Sequence, residues 1–505
     1  MRFKIEKFRI DEGFLLETDS WDDWFEFSTM YCLKYIDKTN KTTEIGNIKI
    51  GQTNMESGQR RADIPRHFDR LDAIFFSVGQ SVEYYENLKN LGDNLREEVL
   101  TSLNDMAFNI ALFEKHKNQR VTQISLMRDI SEKEITNQFT RVANGGAKLT
   151  NFSFGYSFPT LIKTNEKTLV VNNPAKITFR VKPESNPPTN IHIIIGRNGV
   201  GKTYFIKNLI KVITSNNDAE NGFFFDPRNN EKLPASNLFA NVICVGFSAF
   251  DDFPSAIFSQ VKSMIFIGLN NEKSAASRVN ELSIQFSNSL FKILSSKSKS
   301  KLWQNAMGIL NYDNYFEESL ISKIVFNEDQ TKFSKETCDI FTRLSSGHKI
   351  ILLIITQLVE VIEEKSLIII DEPETHLHPP LLSAFTRALS DILTEKNAVS
   401  ILATHSPIIL QEVPSSCVWK MQRSKYFISL ENLQQETFGT NINALNREVF
   451  GLEVEKSGFH HLLKEVLKKE DYDLETVFDV FNNELGDEAK ALLRILVALK
   501  EKETE

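Results

Sequence analysis

Residues 196–203, GRNGVGKT, restrict what this chain can fold into more than any other stretch. They stand directly after an apolar run, IHIII, and directly before YFIKNLIKVI, whose apolar residues recur at helical spacing. A turn of this composition between a strand and a helix points several backbone N–H groups inward, and the positive end of the helix faces the same spot. Such a site takes a phosphate chain. In the pattern G-x-x-x-x-G-K-[ST] the lysine, Lys202, reaches the β- and γ-phosphates, and the hydroxyl of Thr203 ligates Mg²⁺. Gly196, Asn198, Gly199 and Gly201 complete the candidate cradle.

The flanking sequence supplies the sheet that such a loop needs. Between His192 and about Gln411, four strongly apolar runs, IHIIIG, NVICVGF, SLIIID and AVSILAT, are separated by helix-length segments. Unbroken Ile, Val and Leu runs mark parallel strands covered by helices on both faces. The third run delivers Asp371 and Glu372 at its end. Open parallel sheets bind ligands at the carboxyl ends of their strands, so both carboxylates are expected beside the phosphate loop. Asp371 is then the candidate Mg²⁺ ligand, acting through water, and Glu372 the candidate for orienting or deprotonating the attacking water.

Two further motifs converge on that edge. The fourth run ends in Thr404, His405 and Ser406, one helix and one strand beyond Glu372. His405 there is either structural or an imidazole that hydrogen-bonds a γ-phosphate. In RLSSGHKIILLIITQLV, Ser345 or Ser346 caps a long helix whose first N–H groups form another anion site; the plain alternative is a cap and nothing more.

Composition bounds the rest. At roughly 100–200 residues per domain, 505 residues make two to four units. A chain that is 41% hydrophobic and 25% charged is an ordinary globular one, and 59 basic against 67 acidic side chains give −8, which disfavours a surface devoted to nucleic acid. Cys32, Cys244, Cys338 and Cys417 are too widely spaced for a zinc ribbon or a redox pair and read as free thiols. The start carries no secretory core, and the most apolar stretch, residues 350–362, is too short to span a bilayer, so a cytoplasmic protein without membrane contact is expected. Three regions follow: an N-terminal α/β region at 1–145; a nucleotide-binding head at 146–423, with short antiparallel strands before the loop and a helical insertion at about 254–342; and a mostly helical interaction region at 424–505, in which His460 and His461 read as surface or partner-facing.

Taken in this order, the four motifs resemble the ABC-type ATPase head: a P-loop NTPase fold with a mostly parallel sheet, an antiparallel β subdomain and a helical subdomain. DEPETHLHP followed by ATHSP is similar to the soluble RecF, SMC and OLD-like branch. The resemblance implies ATP and Mg²⁺ as cofactors, and a head-to-tail dimer in which Ser345, Ser346 and Gly347 of one copy face residues 196–203 of the other. It adds Arg197 and Arg343 as phosphate ligands. Ser248 stands where the family has a glutamine. Unlike SMC and RecF proteins, 195 residues precede the loop, and no long coiled coil separates it from the signature.

FFSVGQSVEYYENL, FSAFDD, NINALNREVFGLE and LGDEAKALLRIL further resemble the ATPase subunit of Septu antiphage systems, including those attached to retrons. That resemblance implies an ATPase in a homodimer or higher oligomer that controls a separately encoded HNH nuclease, with a reverse transcriptase and retron DNA in the retron form. Two other readings stay open. One is a RecF-like clamp that holds DNA through Arg60, Arg61, Arg66 and Arg70 or through Lys292, Lys297, Lys299 and Lys301; the other is an ATP-bound scaffold that sequesters a toxin without turnover.

Overall fold

A computed structural model describes residues 3–5, 12–19, 26–56, 58–146, 148–163, 168–214, 218–247, 263–268, 275–311, 324, 326, 329–425, 427–456, 458–469, 474–482 and 484–504. The N-terminal residues build a six-stranded sheet in the order His67–Phe68, Phe3–Ile5, Gly13–Thr18, Met30–Ile36, Thr42–Gln52, Phe75–Gly79. Alternation along MYCLKYI turns Tyr31 and Leu33 into the core and leaves Cys32 and Lys34 less buried. The helix Val82–Asn90 closes that core with Tyr84, Tyr85 and Leu88.

The central sheet has seven strands: β1 (Ile191–Ile195), β2 (Val242–Gly246), β3 (Met264–Gly268), β4 (Leu367–Asp371), β5 (Val399–Thr404), β6 (Val418–Ser424) and β7 (Phe427–Asn432). Their order is β3-β2-β4-β5-β1-β6-β7, all parallel except the β6–β7 hairpin. Every residue of β1, β2, β4 and β5 is buried, because both faces are covered.

Alternation along the strands divides them between two layers. Ile194, Cys244, Ile369 and Ile401 pack against helix α1 (Lys202–Thr214) and an antiparallel sheet of Lys176–Val181, Phe152–Ser157 and Phe223–Phe225. Ile193, Val245, Ile370 and Leu402 face the opposite layer, made of α2 (Ala275–Leu294), α3 (Lys297–Leu310), α4 (Gln330–Arg343), α5 (Ser346–Val361) and α6 (Pro379–Glu395). Trp303 anchors that layer, its indole N–H donating to Thr356 Oγ1 at 3.0 Å. After the hairpin come α7 (Ile442–Lys456), α8 (Gly458–Lys469) and α9 (Asp487–Thr504); α8 and α9 share a small core of their own around Leu463, Leu467, Leu493 and Val497.

Three expectations change. The insertion at 254–342 is not wholly helical, since Met264–Gly268 pairs with β2 as an edge strand; its short apolar run lacks a flanking signal. The β6–β7 hairpin runs through residue 423, where the head was expected to end, because the strand pairing carries the sheet beyond it. His460 is buried, with its ring 4.4 Å from that of Phe459, while His461 lies at the surface.

The N-terminal domain docks on the amino edge of the central sheet. Arg141 pairs with Glu364, ahead of β4, at 2.6 Å; Lys396, ahead of β5, lies 3.5 Å from Glu134. Lys133 bonds the Ala240 carbonyl ahead of β2, and Lys148 reaches Glu395 at 2.7 Å and Glu83 at 3.4 Å.

Candidate nucleotide-binding site

The phosphate loop joins β1 to α1 at the carboxyl edge. Gly199 and Gly201 have φ of +79° and +109°, a region that residues with a Cβ rarely adopt. Gly196 is required by proximity instead: a Cβ there would fall 2.5 Å from the Met421 carbonyl oxygen of β6. Lys202, with its side chain 4% exposed, donates to the carbonyls of Gly196 (3.0 Å) and Arg197 (3.3 Å) and stands 3.8 Å from Glu372 Oε1. Asn198 and Thr203 are exposed at the tip and base of the turn.

The strand order explains why the carboxylates meet the loop. β5 lies between β1 and β4, so the end of β5 adjoins both the loop and Asp371. Asp371 is buried at the end of β4. Glu372 follows in the left-handed region (φ 44°, ψ 59°), its N–H bonded to the Ala403 carbonyl of β5 at 2.9 Å. That turn folds the chain back and brings in Glu374, which sequence reading passed over. Glu374 Oε1 accepts from Thr404 Oγ1 (2.6 Å) and from the His405 N–H (2.7 Å), and lies 3.1 Å from His405 Nδ1. His405 Nδ1 is also 3.7 Å from Glu372 Oε1. With Nδ1 turned to the carboxylates, Nε2 is the nitrogen left for a ligand.

Lys202, Glu372, Glu374 and His405 thus form one cluster, with Asp371 at its base. The hydroxyl of Thr203 and the carboxylate of Asp371 are hard oxygen donors, the set that suits Mg²⁺ shared with phosphate oxygens. Backbone N–H groups at a helix start together with a buried ammonium suit a triphosphate.

The expected signature, Ser345 to Gly347, stands at the start of α5. Ser345 caps α5, its Oγ 3.4 Å from the His348 N–H and 2.6 Å from His348 Nδ1. Ser345, Ser346 and Arg343 are exposed, while Gly347 is buried against residues 376–381, where a Cβ would meet the His376 carbonyl oxygen at 3.2 Å. Ser248 lies outside the described residues, as does the side chain of Lys297. Of the basic clusters, Arg61 is committed to Ser28 Oγ and lies over the Tyr31 ring, Lys292 pairs with Glu360 at 2.7 Å, and Lys299 donates to the Glu360 carbonyl at 2.9 Å. Arg66 and Arg70 are exposed, as is Lys301. No helix of the described residues is long and apolar enough to cross a membrane.

Residues 274–411 match a family model described as an AAA domain, putative AbiEii toxin, Type IV TA system. The match takes in the signature, Asp371, Glu372, Glu374 and His405, and begins beyond the phosphate loop. Protein ea59 of Escherichia phage lambda is 38% identical over a 506-residue alignment that covers 95% of this chain and 94% of that protein. Among solved structures, the ADP conformation of MJ1267, an ATP-binding cassette of an ABC transporter, is 14% identical over 60% of this chain and 99% of its own, with a TM-score of 0.31. CbiO1 from Clostridium perfringens, part of the ABC transporter complex cbiONQ, is 14% identical over 61% and 98%, with a TM-score of 0.33. At such values the P-loop ATPase fold rests on the strand order and loop geometry above.

Proposed function

The chain belongs to the family of the phage lambda protein ea59, and from that premise we propose that it is an ATP-hydrolysing switch, dimeric head to tail, that controls a separately encoded HNH nuclease. The observation that carries the ATPase reading is the cluster at the carboxyl edge, where Lys202 to Glu372, Glu372 to His405 and His405 to Glu374 are each 3.8 Å or less.

ATP lies with its phosphates in residues 196–203, where backbone N–H groups and the Lys202 ammonium offset charge that develops on the β- and γ-oxygens. Mg²⁺, when bound, neutralises those oxygens further; Thr203 and Asp371 are the residues that would hold it. Glu372 orients the attacking water and takes its proton. Glu374 positions His405, whose imidazole bonds the γ-phosphate. Ser345 and Ser346 are exposed and Gly347 packs on residues 376–381 of its own chain, which supports their serving the loop of a second copy.

The Septu resemblance of the motifs supports the nuclease partner. Internal pairing of Arg61, Lys292 and Lys299 favours a switch over a DNA clamp. The test is Glu372→Gln. Turnover should fall by about 10²–10⁴-fold, while ATP binding persists and an ATP-dependent dimer accumulates in light scattering. Undiminished turnover would remove Glu372 from the chemistry, and nuclease control that survives in the variant would make binding, not hydrolysis, the working step.

A further inference from the structure

The start of α5 holds a polar pair whose second member the chemistry above leaves unused. Ser345 is exposed, whereas His348, three residues on, is buried at 6% exposure. Ser345 Oγ stands 2.6 Å from His348 Nδ1 and 3.4 Å from the His348 backbone nitrogen. We propose that His348 is a positioning residue for the ATP site shared between two copies: its Nδ1–H donates to Ser345 Oγ and so turns the serine hydroxyl proton outward, toward a phosphate oxygen of the nucleotide held by the second copy. The inference rests on the head-to-tail reading above and deepens it by naming what aims the serine.

The argument is one of donors and acceptors. A serine hydroxyl has one proton and two lone pairs. The backbone N–H of His348 donates to one lone pair, as the cap of α5. If Nδ1 were an acceptor, the one proton would be spent inward, and the oxygen would present only a lone pair to the outside, which repels an anion. With Nδ1–H as the donor, both lone pairs are engaged, and the proton is all that the hydroxyl has left to offer a ligand. The same heavy-atom geometry serves both arrangements, and an anion at the positive end of α5 selects the second.

The ring is held for that task. It meets the His378 ring at 6.4 Å between centroids and 70° between planes. His378 in turn caps α6, its Nδ1 accepting from the Leu381 N–H at 3.4 Å. Gly347 permits the close approach of the two segments, since its Cα lies against the His376 carbonyl. Residues 376–378 follow the turn that carries Glu372 and Glu374, so the imidazole that aims Ser345 is packed against the chain leaving the carboxylates of its own site.

Substitutions at both positions of the full chain separate the possibilities. Ser345→Gly removes the hydroxyl and remains an adequate helix cap. His348→Leu removes the ring donor, His348→Ala does so without filling its space, and His348→Asn offers an amide N–H where Nδ1 stands. Steady-state ATP turnover and ATP-dependent dimer formation should fall about tenfold or more in Ser345→Gly and in His348→Leu or His348→Ala. They should fall no further when Ser345→Gly and His348→Leu are combined, because the same phosphate contact is lost either way. His348→Asn should stay within about threefold of the wild type. ADP, which has no γ-phosphate, should bind every variant with unchanged affinity, a sign that fold and phosphate loop are intact. Wild-type turnover in His348→Leu and His348→Ala, losses that multiply in the double variant, or no recovery in His348→Asn would overturn the proposal. Loss of ADP binding in all three His348 variants would make the ring a packing element and overturn it too. Wild-type turnover and dimer formation in Ser345→Gly would instead sink the head-to-tail reading, and this inference with it.

Discussion

At the amino edge of the central sheet, Glu364 meets Arg141, Lys396 meets Glu134, and the Ala240 carbonyl meets Lys133. At the carboxyl edge of the same strands, Glu372 lies beside Lys202 and His405, Glu374 lies beside the same histidine, Asp371 ends the strand just before them, and Glu374 Oε2 is buried without a partner among the described residues. One edge pairs opposite charges and so welds the N-terminal domain in place. The other gathers carboxylates around a phosphate loop and holds Glu372 in a left-handed turn, an arrangement that stability alone does not favour. Strain and surplus charge have been concentrated where the chemistry is proposed, and substitutions at the two edges should therefore separate turnover from stability.

The largest separation is expected at Glu374. Replacing it by Gln keeps one acceptor for Thr404 and the His405 N–H but removes the charge beside Nδ1. Turnover should fall by about 10²-fold, equivalent to ~2.7 kcal/mol of transition-state stabilisation, with ATP affinity and unfolding midpoint nearly unchanged. Steady-state ATPase assays beside calorimetric binding check this. A rate within a factor of three of wild type would leave Glu374 a purely structural bond acceptor.

The mirror experiment is at the amino edge. The side chain of Glu364 is 5% exposed and that of Arg141 23%, so the pair is partly shielded from water. Glu364→Ala leaves the guanidinium without its carboxylate and should cost about 2 kcal/mol, less than for a fully buried pair because Arg141 still reaches solvent. The urea midpoint should drop while the catalytic rate of the remaining folded protein holds. A fall in rate at unchanged midpoint would mean that the two edges are coupled through β4.

How far the sequence foretells these edges depends on the range of the interaction. The loop, β4 and its acidic end were legible because each is one contiguous run whose residue types carry the geometry. The role of Glu374 was not, although it stands two residues after Glu372, because it depends on the chain reversing at φ 44°. β3 was missed because an edge strand of five residues has no pattern to distinguish it inside a helical stretch. Arg141 with Glu364, and Gly196 with Met421, join residues more than 200 apart, and nothing local marks such partners.

The prediction that isolates the domain behind the amino edge is a pH dependence. Asp105 is fully buried there; its Oδ1 accepts from the N–H groups of Ala107 and Phe108 at 2.9 Å, and Tyr85 donates to its Oδ2 at 3.1 Å. Burial pushes its pKa up from 3.8 to about 7. Between those two values the folded state keeps a proton that the unfolded chain has lost. Stability therefore falls as pH rises through that window, by ~1.4 kcal/mol per unit, and levels off above about 7. Asp105→Asn, which cannot ionise, should abolish the slope. Hydrogen exchange at pH 5, 6 and 7, corrected for the intrinsic pH dependence of exchange, reads the two regions separately. Protection of the helix Val82–Asn90 should decline with pH in the wild type and stay flat in the variant, whereas amides of β4 should follow neither change. A slope that survives in Asp105→Asn would place the titrating group elsewhere, and a parallel loss at β4 would show that the head unfolds together with the domain docked behind it.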